Sequence, residues 1–221
     1  MITQTPFTPE AAIFDMDGLM LDTEKPVIEI WRQAAQAMGW QVDLEVLYQT
    51  IGINEAATKE ILMRKYGPNF PYQEIRQNLQ RILKEKIERE GIAHRPGLLV
   101  LLNRLDRLGV PLAVATSTSK QTALWKLDKA HIRERFKVMV FGDEVKQGKP
   151  APDIFLLAAE RLGKQPQNCV GFEDSPAGLQ SLYRAGIPSV FIKDAVEPAP
   201  EILATLWRRY NDLAEAAALF G

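Results

Sequence analysis

The sequence is poor in the features that mark secreted, membrane and nucleic-acid-binding proteins. Its 221 residues include one cysteine, Cys169, so no disulfide can form within the chain and we expect a reducing compartment. The 27 basic and 28 acidic side chains leave a net charge of −1, which provides no positive field for a nucleic acid or an anionic membrane. No apolar stretch approaches the roughly 20 residues that span a bilayer, and the polar, proline-containing residues 1–9 do not resemble a signal peptide. We therefore expect a cytoplasmic monomer with no nucleic-acid or membrane partner.

Short apolar runs alternate with helical patterns over most of the chain. Apolar side chains recur every three to four residues in 98–108, 153–162 and 176–185, and a glycine follows each of these segments, as is typical of helix ends. Such an alternation predicts an α/β fold, with a doubly wound, parallel-sheet (Rossmann-like) core covered by helices on both faces. The runs that predict buried strands are Ala11–Phe14, Pro111–Ala115, Lys137–Phe141, Cys169–Phe172 and Ser189–Ile192.

Residues 24–90 break this alternation, because they contain amphipathic helical patterns and no convincing strand. Asn54 is placed to cap one of these helices. We therefore expect a smaller α-helical bundle over residues 24–91, inserted into a core domain that comprises residues 1–23 and 92–221. An independent N-terminal helical domain is the simpler alternative, but it is disfavoured because a strand precedes the helices.

Two carboxylates, Asp15 and Asp17, follow the first predicted strand directly, with Gly18 after them. Residues two apart in an extended chain point the same way, so both side chains are expected to face one cavity. Ligands of open α/β sheets bind beyond the carboxyl ends of the strands. Two neighbouring carboxylates repel each other unless a cation or a shared proton compensates, and hard oxygen ligands suit Mg²⁺. Surface turns and calcium loops use the same letters, so this motif alone is only moderately specific.

Three further polar clusters lie near the ends of other predicted strands. Thr116 and Ser117 supply hydroxyl and backbone N–H groups that suit a phosphoryl oxygen, although Thr116 could equally cap a helix. Lys149 is a cation in a proline-rich loop before a helix, where an isolated lysine is more often solvated. Glu173 and Asp174 form a second acidic pair before a helix that Ser175 caps, and capping does not require such a pair. The four clusters together are far more specific than any one of them.

In this order, the clusters resemble the four motifs of the haloacid dehalogenase-like superfamily. The resemblance covers essentially the whole chain, including the helical insert. It is most specific to the branch of phosphoglycolate-phosphatase-like enzymes and beta-phosphoglucomutases, and the first motif is also similar to that of pseudouridine-5′-phosphatase and sugar-phosphate phosphatases. The segments that carry it are Ile13-Phe14-Asp15-Met16-Asp17-Gly18-Leu19, Gly148-Lys149-Pro150-Ala151-Pro152-Asp153 and Gly171-Phe172-Glu173-Asp174-Ser175.

The resemblance implies a role for each motif. Asp15 would be the nucleophile and Asp17 the general acid and base. Thr116, Ser117 and Lys149 would bind phosphoryl oxygens, with Thr116 and Lys149 as part of the catalytic set. Mg²⁺ would be the cofactor, and the helical insert would be a mobile cap. The metal ligands would be the carboxylate of Asp15, the backbone carbonyl of Asp17 and the carboxylate of Asp174, with Glu173 joining directly or through water.

The resemblance also narrows the reaction. True dehalogenases lack the second aspartate, because a halide leaves without a proton. The presence of Asp17 therefore disfavours a dehalogenase. Beta-phosphoglucomutases carry a histidine where Val27 stands and an arginine where residues 51–55 offer none. We therefore expect an Mg²⁺-dependent phosphatase acting on a small phosphorylated metabolite, similar to a sugar phosphate or a nucleoside monophosphate. A phosphosugar mutase and a non-catalytic protein that binds a phosphorylated ligand remain the alternatives.

Overall fold

The computed structural model describes residues 8–220, apart from the side chains of Glu24 and Lys25. Residues 1–7 and 221, which the sequence assigns to the core domain, lie outside the described residues. The expectation that residues 1–9 are not a signal peptide therefore stays a prediction. Within residues 8–220, no helix is both long enough and apolar enough to cross a membrane.

Six parallel strands form one sheet in the order β3-β2-β1-β4-β5-β6. The first strand lies at the centre, and the chain winds outward from it in both directions. This arrangement confirms the predicted doubly wound core. The strands are β1 Ala11–Phe14, β2 Leu112–Thr116, β3 Val138–Phe141, β4 Cys169–Glu173, β5 Ser189–Ile192 and β6 Arg208–Tyr210.

Both faces of the sheet are covered, which explains why its central strands are apolar throughout. On β1, Ala12 and Phe14 pack into one hydrophobic cluster, whereas Ala11 and Ile13 pack into a second cluster on the opposite face of the sheet. Because successive side chains of a strand point to opposite faces, a strand between two helical layers needs apolar residues at every position. The helices of the core are α5 Leu98–Arg107, α6 Lys120–Lys129, α7 Asp153–Leu162, α8 Pro176–Ala185, α9 Pro200–Leu203 and α10 Leu213–Ala216, with 3₁₀ turns at Arg133–Arg135, Pro166–Asn168 and Ala217–Phe220.

Four helices follow β1 and share a hydrophobic cluster of their own, centred on side chains such as Trp31, Leu62 and Ile75. Asn54 caps the third of these helices, as predicted, by accepting a hydrogen bond from the Ala57 N–H at 3.0 Å. We refer to residues 24–90 as the helical insert. Its division from the core at residues 23 and 91 as a separate domain stays a prediction. Its helices are α1 Glu24–Ala37, α2 Leu44–Tyr48, α3 Glu55–Tyr66 and α4 Tyr72–Glu90.

Two linkers join the helical insert to the core, and they run side by side. The Asp22 N–H donates to the Ala93 carbonyl at 2.9 Å, and the Arg95 N–H donates to the Met20 carbonyl at 2.9 Å. Leu21 forms an antiparallel bridge with His94. The two connections between the parts of the molecule are thus paired like strands of a narrow ribbon.

Helix α5 allows a test of how the core is stabilised. Leu105 is fully buried against the sheet, so Leu105→Ala should lower the free energy of unfolding by about 2–5 kcal/mol. Val100 lies on the same helix and is 55% exposed, so Val100→Ala should change it by less than about 0.5 kcal/mol. Urea denaturation followed by circular dichroism measures both values. Similar losses in the two variants would contradict the packing described here.

Candidate active site

The predicted site residues converge at the carboxyl-terminal edge of the three central strands. Asp15 follows β1, Thr116 ends β2 and Glu173 ends β4. Strand β1 lies between the other two, with Phe14 in register with Val114 on one side and Phe172 on the other. Three segments that are far apart in sequence therefore present their polar ends at the same level of the sheet.

Lys149 reaches this edge from the loop after β3 and joins two of the strand ends. Its side chain is fully buried. The ammonium Nζ donates to Asp15 Oδ1 and, at 2.6 Å, to Glu173 Oε1. The expectation that an isolated lysine is solvated is therefore wrong for Lys149. Instead, one ammonium group serves two buried carboxylates.

Burial and charge shift the pKa values of this group in opposite directions. Burial raises the pKa of Asp15, and the nearby Glu173 carboxylate raises it further, while Lys149 lowers it; the result is about 7. Burial alone would lower the pKa of Lys149, but the Asp15 and Glu173 carboxylates raise it above its usual value. Lys149 is therefore a permanent cation, and it does not fully compensate two carboxylates.

Glu173 is held from both sides. Its Oε2 accepts hydrogen bonds from the backbone N–H groups of Asp174 and Ser175, both at 2.8 Å, and from the Ser175 hydroxyl at 3.0 Å. Its Oε1 accepts from Lys149. A Cβ atom on Gly178, in the first turns of α8, would lie 1.7 Å from Oε1, so only glycine leaves room for this carboxylate. Glu173 thus positions Lys149, and its direct contact with a metal stays a prediction.

Asp17 faces the same cavity as Asp15 but has different partners. Its Oδ1 accepts from the Thr23 hydroxyl at 2.8 Å and from Lys126 Nζ at 2.6 Å, and its Oδ2 accepts from the Thr118 hydroxyl at 2.7 Å. Burial would raise the pKa of Asp17, but the Lys126 ammonium and the two hydroxyl groups outweigh it and lower the pKa below its usual value. Asp17 is therefore ionised at neutral pH in this arrangement.

Sequence reasoning missed Lys126, Thr118 and Gly178. Lys126 lies on the buried side of α6 together with Ala123 and Leu127. A lysine at an apolar position of a helix was the one available signal. A glycine inside α8 was a comparable hint for Gly178, because glycine destabilises a helix interior unless its lack of a side chain is needed.

Thr116 and Ser117 line the cavity next to the two aspartates. Thr116 is buried, and its hydroxyl accepts from the Thr118 N–H at 3.1 Å. The cap position of α6 is occupied by Ser119, so the helix-capping alternative for Thr116 is not what the structure shows. The Ser117 hydroxyl donates to the Gly52 carbonyl at 2.9 Å and so ties the sheet edge to the helical insert.

The donor atoms at this edge fit a hard divalent cation. Asp174 follows β4 and is 3% exposed, beside the strand that carries Asp15. Among residues 8–220, no group of three or more acidic, histidine or cysteine side chains has metal-binding spacing. The predicted ligand set needs only two side chains, since its third ligand is the backbone carbonyl of Asp17, and all three are oxygens of the kind that Mg²⁺ prefers.

A cavity of about 400 Å³ lies between the sheet edge and the helical insert. The loop before α3 closes one side of it. Gly52 in this loop has a φ of +76°, and a Cβ atom there would lie 2.2 Å from the Ser175 hydroxyl oxygen. A Cβ atom on Gly148, in the loop that carries Lys149, would lie 2.3 Å from the amide nitrogen of Asn54. The helical insert is thus in close contact with three of the loops that form the site.

The chain is similar to known hydrolases over most of its length. The sequence profile described as haloacid dehalogenase-like hydrolase matches residues 12–192. A phosphorylated carbohydrates phosphatase of Thermotoga maritima is 35% identical over 182 residues, which are 82% of this chain and 84% of that protein. The fructose-1-phosphate phosphatase YqaB of Escherichia coli is 34% identical over 189 residues, 82% of this chain and 95% of that protein. The crystal structure of CbbY from Rhodobacter sphaeroides in complex with phosphate superposes with a TM-score of 0.80 at 28% identity, covering 94% of this chain and 96% of that one.

Removing the shared ammonium group should destabilise the fold in a pH-dependent way. Lys149→Met leaves Asp15 and Glu173 buried without their cation, which should cost about 3–5 kcal/mol of unfolding free energy near neutral pH. The pKa of Asp15 in the folded variant then lies further above its unfolded value, because Lys149 no longer lowers it. The penalty should therefore fade as the pH falls well below about 4, where Asp15 is protonated in the unfolded chain as well, and should grow as the pH rises.

Urea denaturation of wild type and variant across this pH range measures the effect. Lys129 on α6 is a matched control, because it forms an exposed ion pair with Glu88, and Lys129→Met should change stability little at any pH. A penalty for Lys149→Met that does not depend on pH would show that Lys149 contributes through packing rather than through charge.

Proposed function

The chain belongs to the haloacid dehalogenase-like hydrolase family, and we propose that it is an Mg²⁺-dependent phosphatase whose Asp15 accepts the phosphoryl group of a small phosphorylated metabolite before water releases it. The observation that carries this proposal is the position of Asp15. Its carboxylate is held by Lys149 at the end of the central strand and lines a closed-in cavity that Asp17 also faces. Relatives named as phosphatases, which cover more than four fifths of this chain, support the same reaction.

Mg²⁺ would be held by the carboxylates of Asp15 and Asp174 and by the backbone carbonyl of Asp17. When bound, it supplies positive charge that neutralises phosphoryl oxygens and favours the ionised form of Asp15. Glu173 contributes through Lys149, which it fixes in place.

In the first half of the reaction, an ionised Asp15 oxygen attacks phosphorus and the bond from phosphorus to the leaving oxygen breaks. Lys149, Thr116 and Ser117 bind phosphoryl oxygens and so hold the group in line with the attacking oxygen. Asp17 donates a proton to the leaving oxygen, which departs as an alcohol. The products of this step are a phosphorylated Asp15, the free alcohol and an ionised Asp17.

The ion pair between Lys126 and Asp17 has to be loosened for this step, because Asp17 must carry a proton. A dianionic phosphoryl group that enters the cavity places negative charge next to Asp17 and raises its pKa. The same group offers Lys126 a competing anion. Substrate entry thus drives Asp17 toward the protonated form that the first step requires.

In the second half, Asp17 takes a proton from a water molecule as the water oxygen attacks phosphorus. The bond between phosphorus and the Asp15 oxygen breaks, so that inorganic phosphate leaves. Asp15 is ionised again and Asp17 is protonated again, as at the start. The protein therefore has the same covalent structure after the cycle as before it.

Asp15→Asn tests the nucleophile, because it keeps the shape of the side chain and removes its charge. We expect hydrolysis of p-nitrophenyl phosphate in the presence of Mg²⁺ to fall by at least about 10³-fold. Chelation of the metal in the wild type should also abolish turnover. Asp128→Asn, which alters an exposed ion pair with Arg133, is the control and should retain full activity. Undiminished turnover in Asp15→Asn would overturn the proposal. In a separate assay of the wild type, conversion of β-glucose 1-phosphate to glucose 6-phosphate without phosphate release would instead support a mutase.

Asp17→Asn separates the acid step from the base step. p-Nitrophenolate leaves without a proton, so phosphoryl transfer to Asp15 should still occur, whereas hydrolysis of the phosphorylated aspartate lacks its base. We expect a burst of about one equivalent of p-nitrophenol per enzyme, followed by turnover about 10²–10⁴-fold below wild type. Stopped-flow absorbance measures the burst. An alkyl phosphate, whose leaving group needs a proton, should show no burst, and a burst with both substrates would exclude Asp17 as the acid.

A further inference from the structure

Helix α8 contacts the loop that carries Lys149 along one of its sides. This side includes Gly178, Ser181 and Arg184, which are spaced three apart and are therefore neighbours on the helix surface. Gly178 leaves space for the Glu173 carboxylate. The other two side chains donate hydrogen bonds to the loop. One side of α8 is thus in contact with Glu173 and with the loop of its partner Lys149.

Ser181 is fully buried and donates to an acceptor outside its own helix. Its hydroxyl donates to the Ala151 carbonyl at 2.6 Å, 30 residues earlier in the chain. A serine inside a helix more often points to solvent or bonds to a carbonyl of the preceding turn. Because a buried hydroxyl needs a partner to offset the loss of water, this hydrogen bond fixes the loop to the helix.

Arg184 holds the neighbouring carbonyl of the same loop. It is exposed in the last turn of α8, and its Nη1 donates to the Pro150 carbonyl at 2.9 Å. Basic side chains in a last turn often interact with the final carbonyls of their own helix. Arg184 instead reaches a separate segment. Together with Ser181 it fixes the two consecutive carbonyls that follow Lys149.

A displacement of this loop would move the ammonium group of Lys149. The lysine side chain is fully buried, and its Nζ contacts the two carboxylates described above. Nζ also lies 4.8 Å from the centroid of the Phe155 ring, which is itself buried. A side chain enclosed in this way has few other rotamers available. The position of the ammonium group therefore depends on the hydrogen bonds that hold the backbone next to it.

From these contacts we propose that Ser181 and Arg184 are positioning residues for the phosphoryl-binding Lys149. They fix its loop to the helix that also adjoins Glu173, and so they set the place at which the ammonium group meets a phosphoryl oxygen. Neither belongs to the described residues that line the cavity, so they act on the reaction through another residue. The inference rests on the proposed function, because it takes Lys149 to bind the phosphoryl group.

Ser181→Ala tests the buried hydrogen bond. We expect kcat/KM in the presence of Mg²⁺ to fall by about tenfold, because small displacements of a group that holds the substrate are costly. The fall should be equal for p-nitrophenyl phosphate and glycerol 3-phosphate, which share the phosphoryl group that Lys149 binds. Thr205→Val is the matched control, because it also removes a hydroxyl that donates to a carbonyl, that of Ile202 at 2.7 Å, in the turn before β6. It should leave kcat/KM unchanged, and a loss in Ser181→Ala confined to one substrate would overturn the inference.

Arg184→Met tests the second hydrogen bond at an exposed position, where the substitution does not disturb the core. We expect kcat/KM to fall by about threefold, and Arg184→Lys, which keeps a donor, should recover most of this loss. Arg107→Met is the control, because Arg107 is also exposed and donates to the Asn103 carbonyl of its own helix. No loss in Arg184→Met, or a loss that lysine does not recover, would overturn the role of Arg184.

Binding of inorganic phosphate distinguishes positioning from a general effect on folding. Isothermal titration calorimetry in the presence of Mg²⁺ measures its Kd without turnover. Ser181→Ala should raise this Kd about fivefold when Lys149 is present, but less than about twofold in the Lys149→Met background, where the ammonium group to be positioned is absent. An equal rise in both backgrounds would overturn the inference. If Lys149→Met does not fold, the substrate and lysine-rescue experiments above decide.

The outcomes separate this inference from the proposed function. Turnover that depends on Asp15 and is unchanged in Ser181→Ala and Arg184→Met overturns the positioning role and leaves the phosphatase intact. Absence of metal-dependent turnover on every phosphate ester overturns the proposed function. A Kd for inorganic phosphate that rises in Ser181→Ala would then still support the positioning of Lys149.

Discussion

Two buried carboxylates, Asp15 and Glu173, share the ammonium group of Lys149, and the rest of the site is arranged around that contact. Each carboxylate stands at the end of a neighbouring strand, so the lysine links β1 to β4 next to the backbone hydrogen bond from the Asp15 N–H to the Phe172 carbonyl. Removing charged groups from water is unfavourable, and the cost is offset here by the hydrogen bonds from Lys149 to both carboxylates and by three further hydrogen bonds to Glu173. Glu173 accepts hydrogen bonds from Asp174 and Ser175, directly before α8, and Gly178 leaves it the space it needs.

The same contact leaves the site one positive charge short, which suits the chemistry proposed for it. Asp15 and Glu173 share a single lysine, whereas Asp17 has Lys126 as its own partner. A site in this condition attracts a divalent cation, and with that cation it can accept a phosphoryl dianion. The side chains that set the charge of the sheet edge are therefore the same ones that the proposed phosphoryl transfer uses.

The sheet and the four motifs could be predicted from the sequence because each motif directly follows, or lies close to, a strand that is apolar throughout. Asp15 illustrates this. Burial on both faces of the sheet requires Ala11–Phe14 to be apolar, and the end of this apolar run marks the position of Asp15. Strand β6 was missed because Arg208–Tyr210 is short, polar and at the sheet edge, where pairing depends on the backbone of β5. Lys126 stands at an apolar position of α6, but the sequence does not show what it pairs with, because its partner Asp17 is 109 residues away.

The paired linkers described above impose a direction on any movement of the helical insert. Two hydrogen-bonded segments resist sliding past each other and resist twisting, but they can fold about the line between them. Such a joint acts as a hinge. Rotation about its single axis moves the parts of the helical insert that are farthest from the axis the most. Gly52 of the helical insert meets Ser117 and Ser175 of the core, so such a rotation would separate this loop from the two serines, whereas Asp15 and Asp17, on the core side of the linkers, would keep their mutual distance.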